Sequence, residues 1–440
     1  MAGDRKDRAV TPMSVRDAVA PLPPDAALAD RDRLLDDRTA AAVLGGVLPA
    51  SGTLRFDRVE RVRAKYRAGE SLRTLHRVWC GKRSWLVSAR MKAGALSGPA
   101  ATTIGRAQPC FPLRGVAQCE SLGATFWTFP NDRIIRNAGA LKADLPVLAR
   151  LFPGRALAID IVSYNPEQAV IAAVSDGDGR PAAFAKLFAR GGSKTPARIL
   201  GWLGSAIDRE GSCLEVPRLL AIEPRLDVLV LESAGSDHMT ELQDDRVDPF
   251  FSGLGAALGR LHLLPAPPFD RFARFDSSQF GRVSELVAWV RPDLGALARQ
   301  VACRLDRARP ESGDPVCVHG DMNRRNWIAR NGSVALIDFD DAATGPAAAD
   351  VGAVMAWLRT RTLTGDWTPD REHELTESFL AGYSAVRPLP SFRDLLWFRA
   401  AALLADRAGR AITRIRTEHL TCLGELIRAA HADALECTRA

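Results

Sequence analysis

Lysine is almost missing from this chain: it supplies 7 of the 59 basic residues (positions 6, 65, 82, 92, 142, 186 and 194), and arginine the other 52. Each lysine that survives such a bias is therefore informative. The eight cysteines contain no C-x-x-C pair and no metal-like spacing with histidine. That argues against a disulfide framework or a zinc module and predicts free thiols in a reducing, cytoplasmic protein. No apolar run reaches membrane-spanning length, and the N-terminus is polar, without the apolar core of a signal peptide, so no membrane association is expected.

What is present describes a globular protein of two or three domains: 440 residues, 47% hydrophobic and 25% charged. The net charge of +7 is unevenly spread, since residues 51–150 carry 18 Arg and Lys against 6 Asp and Glu. A basic segment of this kind can contact nucleic acid or a phosphorylated ligand. Interleaved aromatics are few and no nucleic-acid module is recognisable, so a solvated basic face is the expectation and a nucleic-acid partner is not.

The chemistry concentrates in residues 316–340, VCVHGDMNRRNWIARNGSVALIDFD. Val316 to Val318 reads as a buried strand stub, followed by the polar loop 319–326. Trp327 and Ile328 resume a strand, Asn331-Gly332 suits a two-residue hairpin turn, and 334–337 return. The pattern thus presents Asp321, Asn326 and Asp338 at adjoining loop ends. Two carboxylates and an amide oxygen are hard ligands of the kind Mg²⁺ accepts beside substrate phosphates. An Asp able to orient a hydroxyl, an Asn after four intervening residues and an Asp closing the next hairpin match the template for phosphoryl transfer.

With His319-Gly320-Asp321, Asn326 and Asp338-Phe339-Asp340 in these positions, followed by Gly345-Pro346 and Asp350, the chain resembles the aminoglycoside phosphotransferase and choline kinase-like family of small-molecule kinases. The resemblance covers roughly 156–420. It implies an α+β, protein kinase-like fold of two lobes, the first β-rich and the second mainly helical, with an additional β-rich N-terminal cap. The expected division is a polar leader and short helix (1–50), the basic cap (51–155), a kinase-like N-lobe (156–235) and a helical C-lobe carrying the catalytic loop (236–440).

Along the chain, residues 1–22 lack periodicity and predict a disordered leader. A helix over 30–48 should stop at Gly45-Gly46. Apolar–charged alternation from Leu54 predicts one-sided antiparallel strands through 91, then a small-residue loop over 94–105, a strand stub at 124–131 and a helix over 141–152. Strands follow at 158–162, 169–174 and 183–188, with a turn at 176–179. Tyr66-Arg67-Ala68-Gly69-Glu70 and Tyr164-Asn165-Pro166-Glu167, each leading into two strands, suggest a structural repeat. Further elements are a helix over 196–207, a strand over 227–231, a helix over 248–264, and helices at 347–358, 372–383, 392–416 and 418–436.

The resemblance also assigns roles. Lys186, late in a third strand, stands where this fold holds the nucleotide α- and β-phosphates, and a compact ammonium suits that place in a chain that otherwise writes Arg. Residues 163–168 would cover the phosphates without a G-x-G-x-x-G loop. Glu232 and Ala234 lie in the hinge that meets the nucleotide base. Asp321 would orient or deprotonate the acceptor hydroxyl, while Asn326 and Asp338 hold Mg²⁺. His319 braces the loop, Asp340 lines the metal site or faces the substrate, and Arg324 and Arg325 stabilise the transferred phosphate or contact an anionic acceptor. His262 reads as structural. One departure stands out: the helix after Lys186 has no internal Glu to pair with it, with Asp208 and Glu210 at or past its end.

The expected reaction is Mg²⁺-dependent transfer of the γ-phosphate of ATP or GTP to a hydroxyl of a small molecule. From Arg246 onward 25 arginines face 24 acids, which shows no acidic excess for a polycationic aminoglycoside. The cap is similar in placement to that of maltokinase-like and glucosamine kinase-like members, which favours a sugar or aminosugar, so the expected acceptor is a sugar, aminosugar or aminoglycoside-like compound. The alternative from another class is a catalytically idle nucleotide-binding protein, supported by the missing helix Glu. Either reading leaves the oligomeric state open.

Overall fold

The alternating apolar and charged residues of the first half form two antiparallel sheets of five strands each. The computed structural model describes residues 22–94, 107–141, 145–177, 181–235, 237–238, 244–268, 275, 277–310, 315–330 and 333–439. The first sheet holds β1 (Arg58–Arg67), β2 (Ser71–Cys80), β3 (Arg83–Lys92), β4 (Val116–Cys119) and β5 (Ala124–Thr128), in the order β1-β2-β3-β5-β4. The second holds β6 (Ala158–Asn165), β7 (Ala169–Ser175), β8 (Pro181–Phe188), β9 (Leu219–Glu223) and β10 (Val228–Glu232), in the order β6-β7-β8-β10-β9. The two orders are the same. On β1 the pleat buries Val59, Ala64 and Tyr66 on the face that also carries Arg61, and leaves Arg63 and Lys65 half-buried on the other face. A bulge at Val62 interrupts this alternation, and β6 carries one at Val162.

The likeness extends to the hairpins. Closing pairs Arg67–Ser71 and Asn165–Ala169 each bracket three turn residues, whose middle members Gly69 and Glu167 have φ of 72° and 66°. Asp25 accepts hydrogen bonds from the Tyr66 hydroxyl (2.6 Å) and the Gly69 amide (2.9 Å). Asp132 does the same for the Tyr164 hydroxyl (2.5 Å) and the Glu167 amide (2.9 Å). The repeat suggested by the two tyrosine stretches is thus a repeat of topology and of anchoring. Counting from the hairpins, Arg90 opposite Arg73 occupies the place that Lys186 opposite Ile171 has in the second sheet.

One apolar layer lies between the sheets, where Leu75 joins Ile135, Leu148, Tyr164, Val170 and Val230. The other face of the first sheet, with Tyr66, Leu72, Val78 and Met91, joins a core that continues into the helical half. There the helices Asp244–Leu263 and Pro369–Ser384 cross tightly: a Cβ on Gly255 would strike the Phe379 carbonyl, and one on Gly382 the Ser252 carbonyl. Two small pairings complete the half. β11 (Asp237–His238), β13 (Trp327–Arg330) and β14 (Ser333–Leu336) pair in the order β11-β13-β14, and β12 (Pro315–Val318) pairs with β15 (Ala343–Pro346). The architecture is α+β, with the β-rich half first.

Several expectations need correction. The first helix, Asp37–Val47, runs through Gly45-Gly46 instead of stopping there; Gly45 meets the Leu54 carbonyl too closely for a side chain. The helix expected over 141–152 is Pro146–Leu151, with proline in the first turn. Strands β4, β9 and β15 and the helices Ser277–Val290 and Pro292–Arg307 were not anticipated. The long helix over 392–416 is Phe392–Ala402, a π-helical segment Leu403–Ala408 and Gly409–Thr413. Ile415, in the left-handed region at φ 50°, ends it. The last helix divides into Thr417–Thr421 and Leu423–Cys437. The leader, most of the 94–105 loop, part of the 176–179 turn and Asn331-Gly332 lie outside the described residues, although β13 and β14 pair on either side of that last dipeptide. No helix among the described residues is long and apolar enough to cross a membrane, and all eight cysteines are free.

Buried His76 makes the first sheet sensitive to acid. Its Nε2–H donates to the Leu34 carbonyl (3.0 Å), which leaves Nδ1 to accept from Thr74 (3.4 Å). Burial pushes its pKa down to about 4 from 6.5. Because the folded value lies below the unfolded one, the neutral ring contributes stability above pH 6.5, and that contribution is lost as the pH falls toward 4. At about 1.4 kcal/mol per pH unit, the loss approaches about 3 kcal/mol. Thermal melts at pH 7 and 4.5 should show a drop that is smaller in His76→Gln than in the wild type. An equal drop in both would contradict this.

Candidate functional site

The loop after β12 is held from beneath by one buried carboxylate. Asp350, in the first turn of the Ala348–Leu363 helix, accepts from the amides of His319 (2.6 Å) and Gly320 (3.0 Å). It also accepts from His262 Nε2 (3.2 Å), whose Nδ1 accepts from the Tyr383 hydroxyl (2.9 Å). Burial alone would raise the Asp350 carboxyl, but the hydrogen bonds it accepts from His262 and from the His319 amide hold it below the usual carboxylate value. Burial lowers His262 despite that carboxylate, so the ring is neutral and structural. Gly320 has φ 79°, and a Cβ there would collide with the Asp341 carbonyl, so no other residue fits the turn.

His319 locks the loop to the return strand. Its Nε2–H donates to the Ile337 carbonyl (2.9 Å), which leaves Nδ1 to accept from the Asp321 amide (3.3 Å). These bonds set the tautomer. Its ring lies 4.6 Å from that of Phe339. Beyond the turn, Asn326 donates Nδ2–H to the Asp321 carbonyl (2.9 Å) and carboxylate (3.3 Å). Its amide oxygen is therefore the atom left for a cation. Trp327, fully buried, anchors the next residue by edge-to-face contact with Trp357 at 5.2 Å.

Lys186 comes from β8, and the acids come from the far side. Its Nζ lies 2.6 Å from Asp338 Oδ1 and 2.7 Å from Asp340 Oδ2. Asp338 leaves the hairpin in the left-handed region (φ 66°), which turns its carboxylate away from the strand line. Burial alone would lower the lysine's pKa; the two carboxylates outweigh it and raise the value. Asp340 is pushed up, by burial first and by Asp338 against the opposing pull of Lys186. The lysine's partners are therefore these two aspartates. Asp208 and Glu210, which lie inside the Lys194–Glu210 helix, are both exposed at its end.

The other candidate residues fall as follows. The Glu232 amide donates to the Arg218 carbonyl (2.9 Å), and its carboxylate accepts from the Arg218 guanidinium (3.2 Å). Ala234 is buried against Ile328 and Ala335, between β10 and the helical half. Arg324 is half-buried and Arg325 exposed on the loop's outer edge. The 163–168 stretch is the β6–β7 hairpin, whose tip is clamped: Glu167 receives Arg73 (2.8 Å), Arg90 (2.9 Å) and Arg133 (2.7 Å). Part of the basic segment's charge is thus engaged internally.

Asp338, Asp340 and the Asn326 amide oxygen are hard oxygen donors at one edge of the loop, a set suited to Mg²⁺ completed by phosphate and water oxygens. Among the described residues no three His, Cys, Asp or Glu side chains form a metal cluster by themselves. An ion held here would share its ligands with phosphates, as Mg²⁺ usually does.

The motif named Asp350, as the continuation after Gly345-Pro346, without what it holds, and it missed Arg410 altogether. Arg410, 3.7 Å from Asp321 and 3.3 Å from Asp406, comes from a segment where nothing but a run of arginines at 407, 410, 414 and 416 marks it.

The profile of a family described as the phosphotransferase enzyme family matches residues 173–396, about half of the chain. No curated protein matches the chain. Among solved structures, an amicoumacin kinase in complex with AMP-PNP and Ca²⁺ is 14% identical, covering 67% of this chain and 95% of its own, with a TM-score of 0.47. An ADP-bound aminoglycoside phosphotransferase is 13% identical over 66% of this chain and 99% of its own, at 0.43. A choline/ethanolamine kinase family protein from Mesorhizobium loti is 13% identical over 69% and 98%, at 0.45.

Proposed function

The chain belongs to the phosphotransferase enzyme family, and from that premise we propose that it moves the γ-phosphate of ATP or GTP to a hydroxyl of a small molecule, a sugar or aminosugar-like compound. The observation that carries this reading is the meeting of Lys186 with Asp338 and Asp340 beside the hydrogen-bonded pair of Asp321 and Asn326. It joins the lysine of one half of the molecule to the acids of the other.

On this reading 156–235 and 236–440 are the two lobes of the kinase and 51–155 is its cap, at work in the cytoplasm, where free thiols persist. Lys186 anchors the phosphates that stay behind, and the segment containing Glu232 and Ala234 meets the base. Asp338 and Asn326, with Asp340, hold Mg²⁺, whose chemistry is to neutralise charge on the phosphates. Asp321 orients the acceptor hydroxyl and takes its proton while the oxygen bonds to the γ-phosphorus. The bond to the bridging oxygen breaks, and its electron pair leaves with the nucleoside diphosphate. The loop is held from beneath by Asp350 and His319, so positioning, the main demand of phosphoryl transfer, rests on buried hydrogen bonds.

The idle-scaffold alternative drew on the missing helix Glu. Lys186 has two carboxylate partners from elsewhere, so that gap does not speak for it. The test is Mg²⁺-dependent nucleotide turnover with ATP and GTP against sugars, aminosugars, aminoglycosides and choline-like alcohols. Stimulation by one class is expected. Folded protein that binds neither nucleotide would sink the proposal.

A further inference from the structure

Arg410, which faces Asp321, belongs to a cluster of cations drawn from three separate elements. It reaches the Asp321 carboxylate at 3.7 Å from the end of the chain's π-helical region. Arg414 and Arg416 follow on the same segment. There the Ile415 carbonyl accepts from Arg61 of β1 (3.5 Å), which ties the first sheet to this edge of the helical half. Beyond the Val62 bulge, Arg63 and Lys65 lie on the opposite face of β1 from Arg61, and Arg63 also donates to the Ser163 hydroxyl (3.3 Å). Arg325 projects from the catalytic loop itself.

Arg63, Lys65, Arg325, Arg410, Arg414 and Arg416 crowd one another. Burial, and after it Arg325, lowers the pKa of Arg63. Burial, and after it Arg410, Arg73 and Arg63, lowers that of Arg414. Burial followed by Arg410, Arg325 and Arg414 pushes Arg416 down to about 10, still fully protonated at neutral pH. Lys65 is lowered by burial and then by Arg414, Arg73 and Arg67. The acids available do not balance them. Asp321 and Asp406 both engage Arg410, and Glu167 is occupied by Arg73, Arg90 and Arg133. Among the described residues no carboxylate lies in ion-pair distance of Arg63, Lys65, Arg325, Arg414 or Arg416. Half-buried Arg63, Lys65, Arg414 and Arg416, held beside the exposed Arg325 with no carboxylate in direct ion-pair contact, are costly to keep together unless an anion joins them.

The Lys186 side of the site already has its own cation facing Asp338 and Asp340. The arginine cluster flanks Asp321, the residue assigned to the acceptor hydroxyl. Resting on the phosphotransferase reading, we infer that the acceptor is an alcohol carrying at least one anionic group, a phosphate or a carboxylate, which Arg63, Arg325, Arg414 and Arg416 hold while Asp321 faces its hydroxyl. A polycationic aminoglycoside would meet charge of its own sign there. The cap, through β1, becomes part of the acceptor site.

The experiment pairs alcohols that differ only in charge: glucose with glucose 6-phosphate and with glucuronate, glucosamine with its 6-phosphate, ribose with its 5-phosphate. Binding is measured calorimetrically on the full chain with AMP-PNP and Mg²⁺, and turnover is measured separately. At least one anionic member should bind tenfold or more tightly than its neutral parent and weaken as salt rises; the phosphate and carboxylate arms show which group is preferred. Arg414→Gln should raise KM for that acceptor at least tenfold while changing the KM for nucleotide less than twofold, and Arg414→Lys should restore part of the loss. Anion binding without turnover would leave this inference standing and count against the kinase reading. Turnover of neutral or cationic alcohols with no preference for anions would overturn the inference and keep the kinase. So would an Arg414→Gln effect confined to nucleotide KM.

Discussion

Replacing Asp321 by Asn should lower kcat by about 10²- to 10⁴-fold, the range for losing a positioned general base, with nucleotide affinity changed less than twofold. The substitution keeps the side chain's size and leaves the Asn326 bond to the Asp321 carbonyl (2.9 Å) in place, so the loop has no reason to move. What disappears is the negative charge that takes the proton and that Arg410 faces. Steady-state kinetics with the acceptor identified from the panel, together with a nucleotide titration, separate the two effects. A kcat within a few-fold of wild type would mean that the hydroxyl needs no base here, and that the loop acts only as a binding frame.

Replacing Asp350 by Ala should destabilise the protein by about 3–5 kcal/mol, the usual penalty for stripping one partner from a buried charged network. Three donors lose their acceptor at once: the amides of His319 and Gly320 and the ring of His262. All of them lie in the interior, where an unpaired donor costs more than a surface one. Denaturant unfolding measures the loss. The folded fraction should also turn over more slowly, because Gly320 and Asp321 are aimed by these bonds. Asp350→Asn, which retains one acceptor oxygen, should fall between Ala and wild type. If Asp350→Ala unfolds within about 1 kcal/mol of wild type, the loop is supported by β12 and β14 instead.

The hairpin that carries the candidate site was legible because its signals are local. Short apolar runs, a polar loop and a turn dipeptide place Asp321, Asn326 and Asp338 without knowledge of anything distant. Lys186 was legible by its rarity, but its partners were not: Asp338 and Asp340 lie more than 150 residues downstream, and only the fold brings β8 to the hairpin. Arg410, Arg414 and Arg416 were invisible for the same reason. Composition recorded the basic excess of 51–150, yet the direction in which Arg63 and Lys65 point depends on the Val62 bulge and on how the first sheet seats against the helical half.

The helices Ser277–Val290 and Pro292–Arg307 are a different case. Phe280, Val283 and Val287, then Leu294, Ala298, Val301 and Leu305, repeat at helical spacing and are buried, so a signal existed that motif reading passed over. Gly45-Gly46 shows the converse. Two glycines read as a helix stop where one of them serves a close approach to the Leu54 carbonyl, a distinction no local rule makes.

The most direct measurement is a calorimetric titration of folded wild type and Lys186→Ala with ATP and with GTP, each with and without Mg²⁺. It needs no knowledge of the acceptor. The expected result is Mg²⁺-dependent binding of at least one nucleotide by the wild type, weakened tenfold or more in Lys186→Ala while the thermal melt confirms a folded variant. Binding that ignores both Mg²⁺ and Lys186, or no binding by folded wild type, would contradict the account.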